Sequence, residues 1–283
     1  MDSTVKLLSS RIDEICTDYN EASLLYPFWQ QYPPQERGRQ PVGDQHPWIE
    51  VGEHVLIAKL CRYISNEFRT SDPGLPTGPD ARFIVRHEQI ARLTDGLTDA
   101  AWLMIDIKSV GPRDDAPHTV LSHNQVSGSG EWERAESGIK NRVMKAMGPR
   151  ASHLFHCTLP PFYVLSDGTI ALTVLMAIKP VYRMLGLLQG AGMAGQPLDR
   201  LDVVMIPNGL LLEEHPGYLK AYPGLIFPGK DDEKKDPLKK RARVSFALLS
   251  AIAQWRVKSI PACIDPLVAK AIEALTKTGQ RPG

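Results

Sequence analysis

An α/β fold, or the neighbouring α+β arrangement, built on a mixed central β-sheet flanked by helices, is what this sequence predicts. Three observations predict it. Two stretches, 5–19 and 48–68, repeat apolar residues at helical spacing. Others, around Asp106, from Phe162 to Ile178 and from Leu201 to Asn208, are apolar runs of strand length. The two kinds of segment mix without a strict strand–helix–strand rhythm, so strands of both directions are expected in one sheet.

Taken in order, Val5, Leu8, Ile12, Ile15 and Tyr19 recur at helical spacing and open the chain with an amphipathic helix. The Pro-, Gln- and Gly-rich segment from Tyr32 to Pro47 reads as an irregular loop. WIEVGEHVLIAKLCRYISNEF carries Val51, Val55, Leu60 and Ile64 as the apolar positions of a core-packed helix, with Glu53 near its start. GLPTGPD, Gly74 to Asp80, is a turn-rich approach to a strand from Arg82 to Arg86. The run AWLMIDIKSV supplies the next strand. FYVLSDGTIALTVLMAI reads as two strands joined at Asp167-Gly168, a dipeptide suited to the left-handed backbone of tight hairpins. LDVVMIPN, Leu201 to Asn208, is a short buried strand, and helices are predicted from Val244 to Trp255 and from Asp265 to Lys277.

With 283 residues, 43% of them hydrophobic, the chain can bury a sizeable core as one continuous domain over 1–283. Its four cysteines, Cys16, Cys61, Cys157 and Cys263, are scattered and form no C-x-x-C pair, which points away from a zinc site or a disulfide framework. The N-terminus lacks an apolar secretory core, and the longest greasy stretch, near Ile170 to Ile178, is too short to span a bilayer. A soluble protein of the reducing cytoplasm, with no membrane partner, is the expectation. Net charge is only +1, yet the segment from Lys230 to Arg243 holds seven basic residues against four acidic ones. Such a run is ordinarily a solvated face.

The chemistry lies elsewhere. Asp80 follows Pro79, and Asp106 and Lys108 stand two apart in the apolar run, spelling P-D…D-x-K. Side chains alternate along a strand, so Asp106 and Lys108 project to one side while Ile105 and Ile107 face the other. A second carboxylate from Asp80 would complete an oxygen cage for Mg²⁺, with the lysine beside a scissile phosphate. A carboxylate and a lysine in apolar surroundings are costly unless they serve each other or a metal. The bland alternative is a strand-end salt bridge.

Other motifs fail on context. Gly190 to Gly195 matches the dinucleotide fingerprint G-x-G-x-x-G, but Gln196-Pro197 follows at once where a helix is needed, and a loop is the better reading. An oxidoreductase reading rests on that match alone. SGSG, Ser127 to Gly130, lacks the Gly-Lys-Ser/Thr ending of a phosphate loop. His153 and His156 have no evident further ligands, and Ser166-Asp167-Gly168 reads as a turn.

Taken together, DYNEASLLYPFW, GDQHPWIEVGE, GLPTGPD, IDIKSVGPRDD, NQVSGSGEW, LPPFYVLSDGTIA, IKPVY, PNGL and PGKDDEKK…KKRARV resemble, in order and spacing, the BglI family of type II restriction endonucleases. These are nucleases of the PD-(D/E)xK superfamily. The resemblance runs from about Asp18 to Trp255, and residues from about Lys258 onward have no clear counterpart. It implies a restriction-endonuclease-like fold with a catalytic core at about 48–185 and a DNA-reading segment at about 224–245.

At matching positions it implies that Asp80, Asp106 and the Ile107 carbonyl bind one or two Mg²⁺, that Lys108 is the catalytic lysine, and that Glu53 is a further active-site acid. For reading DNA it points to Lys230, Asp232, Arg241, Arg243 and Asp114. The implied target is GCCNNNNNGGC, cut in both strands to leave 5′-phosphates and 3′ overhangs. Guanine edges call for donors such as Arg and Lys, and cytosine N4 for an acceptor such as Asp. A palindrome implies a homodimer, and a restriction enzyme implies a cognate DNA methyltransferase. The alternatives left open are a DNA-binding protein that keeps the fold without the chemistry, and a nuclease of the superfamily with a different target.

Overall fold

Alternation along the central strands sorts their apolar side chains into two cores, one on each face of a mixed sheet. The structure is a computed structural model that describes residues 1–17, 47–67, 69–71, 79–110, 115–129, 134–135, 138–139, 143–145, 154–182, 198–229 and 241–262. Helix α1 spans Asp2–Ser10 and α2 spans Pro47–Glu67. Strands β1 (Arg69–Ser71) and β2 (Ala81–Arg86) follow, then α3 (Glu88–Leu93), β3 (Ala100–Ile107) and β4 (His118–Ser122). Four short strands, β5 (Arg134–Ala135), β6 (Gly138–Ile139), β7 (Val143–Lys145) and β8 (Leu154–His156), form two small hairpins. Next come β9 (Phe162–Val164), β10 (Ile170–Tyr182), β11 (Leu198–Ile206), α4 (Gly209–Glu213), α5 (Tyr218–Ala221) and β12 (Ile226–Phe227). The last described elements are β13 (Arg241–Ser245), α6 (Phe246–Ile252) and β14 (Val257–Pro261).

The main sheet runs in the order β1-β2-β3-β10-β11-β14, with β9 paired to the start of β10. Strand β10 lies parallel to β3 and antiparallel to β11 and β9, so the sheet is mixed, as the sequence predicts. Ile105, Ile107, Met176, Ile178, Val203 and Met205 share one core with Leu8, Ile15, Leu56, Leu60 and Ile64 of the N-terminal helices. Full burial of side chains such as Leu56 and Leu60 stabilises by about 1.5–3 kcal/mol each, which seats α2 on the sheet. Trp102, Met104, Ala177, Val204 and Ile206 point the other way. They meet Leu121, Ala242, Val244 and Phe246, the inner face of a second sheet of order β12-β13-β4 and of α6.

The hairpin at Asp167-Gly168 is present: Gly168 takes φ +81°, and Leu165 N–H donates to Thr169 O at 2.8 Å. Helix α2 matches its expected span, with Pro47 at its first residue, where a missing N–H costs no hydrogen bond. The rest of the expected loop before Pro47 lies outside the described residues. Two expectations are corrected. The opening helix is not continuous, because α1 closes at Arg11 and helical structure resumes only over 12–17. The helix expected from Val244 to Trp255 is shorter, since Val244 belongs to β13 and Ser245 Oγ accepts the Leu248 N–H and starts α6 only at Phe246. The helix expected from Asp265 lies outside the described residues, as does the glycine run 190–195.

Candidate active site

Strand β2 runs antiparallel to β3 and its last pair is Ala81 with Ile105, so Asp80 arrives opposite Asp106. One oxygen of Asp80 accepts the Ile107 N–H at 2.6 Å, which continues the ladder through a side chain. Beyond the end of β3 the chain stays clamped to β10. Lys108 N–H donates to Ile178 O at 2.8 Å, and Val110 N–H to Pro180 O at 3.0 Å. The alternation expected of D-x-K therefore holds past the strand end. Lys108 Nζ stands 2.8 Å from Asp106 Oδ2, while Ile105 and Ile107 are buried in the opposite core.

Asp106 is fully buried, whereas Asp80 is exposed. Burial pushes the Asp106 carboxyl up to about 7; Lys108 opposes that shift and the negative charge of Asp80 adds to it. Gln125 Nε2 donates to Asp106 Oδ1. Two carboxylates, one held near neutrality by burial and the other facing solvent, thus converge beside an ammonium group. Among the described residues no three of His, Cys, Asp and Glu converge as metal ligands. An ion here would rely on two carboxylates, main-chain oxygen and water, a set that suits Mg²⁺, which keeps several waters and takes few carboxylates. Glu53 falls within α2, and its side chain lies outside the described residues.

Arg241 and Arg243 lie two apart on β13, opposite Ser122 and Val120 of β4. Ala242 and Val244 are buried between the sheets, so both arginines occupy the outer face of the small sheet. The two-residue spacing thus puts both on one face of the strand. Arg243 lies across Gly229: a Cβ built at that glycine would stand 1.4 Å from Arg243 Nη1. Lys230, Asp232 and Asp114 lie outside the described residues.

Two groups escaped the sequence reading. Gln125 ends a short 3₁₀ turn, His123–Gln125, whose start Ser122 forms a reciprocal capping box with it. The S-x-x-Q spacing is a signal for that box. The other is Lys179, buried in β10, which donates to Ala116 O at 2.6 Å and lies 3.4 Å from Asp115. Burial holds its pKa below the ordinary lysine range. Arg200 pairs with Asp115, Asp199 and Asp202, and this network anchors Asp115 and Ala116 just before β4. A lysine inside the apolar run ending IKPVY was its trace in the sequence. Of the decoys, Ser127 and Ser129 serve packing: Ser127 Oγ accepts the Gly209 N–H at 2.8 Å, and Ser129 bonds Glu213. His153 and the side chain of His156 lie outside the described residues.

The family model for restriction endonuclease BglI matches residues 1–260, so the likeness takes in the N-terminal helices as well as the motifs. The type II restriction enzyme BglI of Bacillus subtilis is 48% identical over 251 residues, covering 87% of this chain and 83% of that protein. A crystal structure of restriction endonuclease BglI bound to its DNA recognition sequence superposes with a TM-score of 0.79 at 46% identity. It covers 91% of this chain and 87% of that one. Tetrameric restriction endonuclease SfiI, bound to cognate DNA, shares the fold at a TM-score of 0.56 and 13% identity, over 93% of this chain and 85% of that one. With the P-D…D-x-K residues gathered at one end of β3 and the family match spanning both sheets, the chain belongs to the BglI family and is a type II restriction endonuclease.

Proposed function

We propose that this enzyme hydrolyses both strands of double-stranded DNA at an interrupted palindrome, GCCNNNNNGGC, leaving 5′-phosphates and 3′ overhangs. The observation that carries the reading is the convergence of Asp80, Asp106 and Lys108 at the end of β3, with Lys108 Nζ 2.8 Å from Asp106. Asp80, Asp106 and the Ile107 carbonyl would hold Mg²⁺, one or two ions per site. The cation, when bound, supplies positive charge that polarises the attacking water and stabilises the leaving oxygen. Lys108, its side chain held by Asp106 and its backbone N–H donating to Ile178 O, orients that water or helps remove its proton in an in-line displacement.

Arg241 and Arg243 on β13, with Lys230, Asp232 and Asp114, read the G·C pairs of each half-site. A palindrome cut in both strands calls for a homodimer, and a cell holding this activity needs a methyltransferase that protects the same site. Glu53 serves as a further acid at the centre. Digestion of a sequenced plasmid with Mg²⁺, with the ends mapped, is expected to yield cuts at GCCNNNNNGGC with 3′ overhangs. Lys108→Ala is expected to abolish cutting while specific binding persists. A variant that cuts undiminished would remove Lys108 from the mechanism.

A further inference from the structure

We propose that Gln125 is a positioning residue through which the strand carrying Arg241 and Arg243 sets the orientation of the Asp106 carboxylate. The inference rests on the DNA-cleaving reading above and names how that site is regulated.

Gln125 is 6% exposed, and its amide spans two elements. Oε1 accepts the Ser122 N–H at 2.8 Å, and Nε2 donates to Asp106 Oδ1. The chemistry fixes the direction of the amide. Turned over, it would set two donors face to face at Ser122 and two acceptors face to face at Asp106. Ser122 is the last residue of β4 and pairs with Arg241 in the ladder. One side chain therefore separates the reading strand's partner from a proposed metal-binding carboxylate.

The turn between them is stiff. Ser122 and Gln125 cap each other, His123 O accepts the Thr158 N–H at 2.9 Å, and Gly128 N–H donates to Leu159 O at 3.0 Å. A displacement of β4 with β13 is thus passed to Gln125 rather than absorbed. Asp106 is buried and fixed on β3, so a shift at the other end of the amide stretches or turns the bond to Oδ1. Misplacement by about 1 Å at a catalytic group can cost on the order of a hundredfold in rate. Seating β13 on its proper base pairs then aligns the carboxylate, and a wrong base pair misaligns it.

The test is Gln125→Met, which keeps length and removes both hydrogen bonds, alone and combined with Arg241→Ala. Cleavage is measured on the cognate duplex and on one altered at a single G·C pair of the half-site, and affinity for the cognate duplex is measured without divalent ion. Gln125→Met is expected to lose roughly 10- to 100-fold in cognate cleavage, as loss of a partner supporting a metal ligand does, with metal-free affinity close to wild type. It is expected to lose far less on the altered duplex, and the double variant to fall short of the product of the single losses by about tenfold. Equal fractional loss on both duplexes, with multiplicative combination, would overturn the relay and leave Gln125 a packing residue. Should Gln125→Met fold poorly, Gln125→Glu carries the test. It keeps the acceptor for Ser122 and places an acceptor against Asp106, so wild-type cleavage by that variant overturns the proposal too. A wild-type enzyme that leaves DNA uncut sinks the cleavage reading itself, whatever Gln125 does.

Discussion

At the scale of single residues, Asp106 sets the pH response. Its carboxyl is raised by burial from 3.8 to about 7, so the folded protein holds a proton there that the unfolded chain has released. Stability from this group therefore falls as pH rises through that window. Metal-free Asp106→Asn is expected to melt above the wild type at pH 8, with the gap closing toward pH 4 and cleavage lost; thermal melts across that range check the sign. Gly229 governs a different property. The atom its Cβ would strike is the far end of the Arg243 side chain, which can move aside at little cost to the fold. Gly229→Ala is expected to keep near wild-type stability yet weaken specific binding, approaching the 1–3 kcal/mol expected on the order of magnitude for Arg243→Ala. Competition binding on cognate and unrelated duplexes measures it.

At the scale of elements, Asn208 ties together three of them. Its side-chain oxygen accepts the Leu210 N–H at 3.0 Å and caps α4. Its amide donates to Pro161 O at 2.7 Å and Thr173 O at 2.9 Å, joining the approach to β9 with β10. Asn208→Ala removes a cap worth about 1 kcal/mol and takes a donor from Thr173 O, while Pro161 O keeps the Thr173 N–H at 2.9 Å, so a loss of roughly 2–3 kcal/mol is expected in urea unfolding. The main sheet was legible in the sequence because its strands are apolar runs with local punctuation. The Asp167-Gly168 hairpin, LDVVMIPN and the strand that bears Asp106 each announce themselves within a few residues. The small sheet was not legible. His118–Ser122 and Arg241–Ser245 both alternate with period two, but their pairing joins segments far apart in the chain, which no local pattern specifies. Helix α6 was overextended because Val244 suits helix and strand alike, and only the ladder to Thr119 decides it. Asp106 and Lys108 stood out in the sequence because charged residues are costly in apolar runs, and Asp80 because it follows Pro79 ahead of them. Gln125 is neutral, and its burial is visible only once β4 and β3 are in place.

At the scale of the molecule, the family likeness covers both the sheet that bears Asp106 and the one that bears the two arginines. Two relatives of the same fold differ in what their names say of assembly, since SfiI is tetrameric. A palindrome requires two reading surfaces, and two subunits suffice. Sedimentation at working concentration is expected to give a dimer, and a plasmid with one site is expected to be cut as readily as one with two. A marked preference for two sites would favour the tetramer. The parallel register of β3 on β10 also bears on synthesis. Lys108 finds its anchor at Ile178 only after the ribosome has made β10, and Ser122 meets Arg241 later still. A nascent chain carries Asp80, Asp106 and Lys108 early, without the strand that clamps the lysine or the one that bears Arg241 and Arg243. On the proposed reading, a chain ending before β10 is expected to leave DNA uncut, and a digest with such a truncated chain measures it.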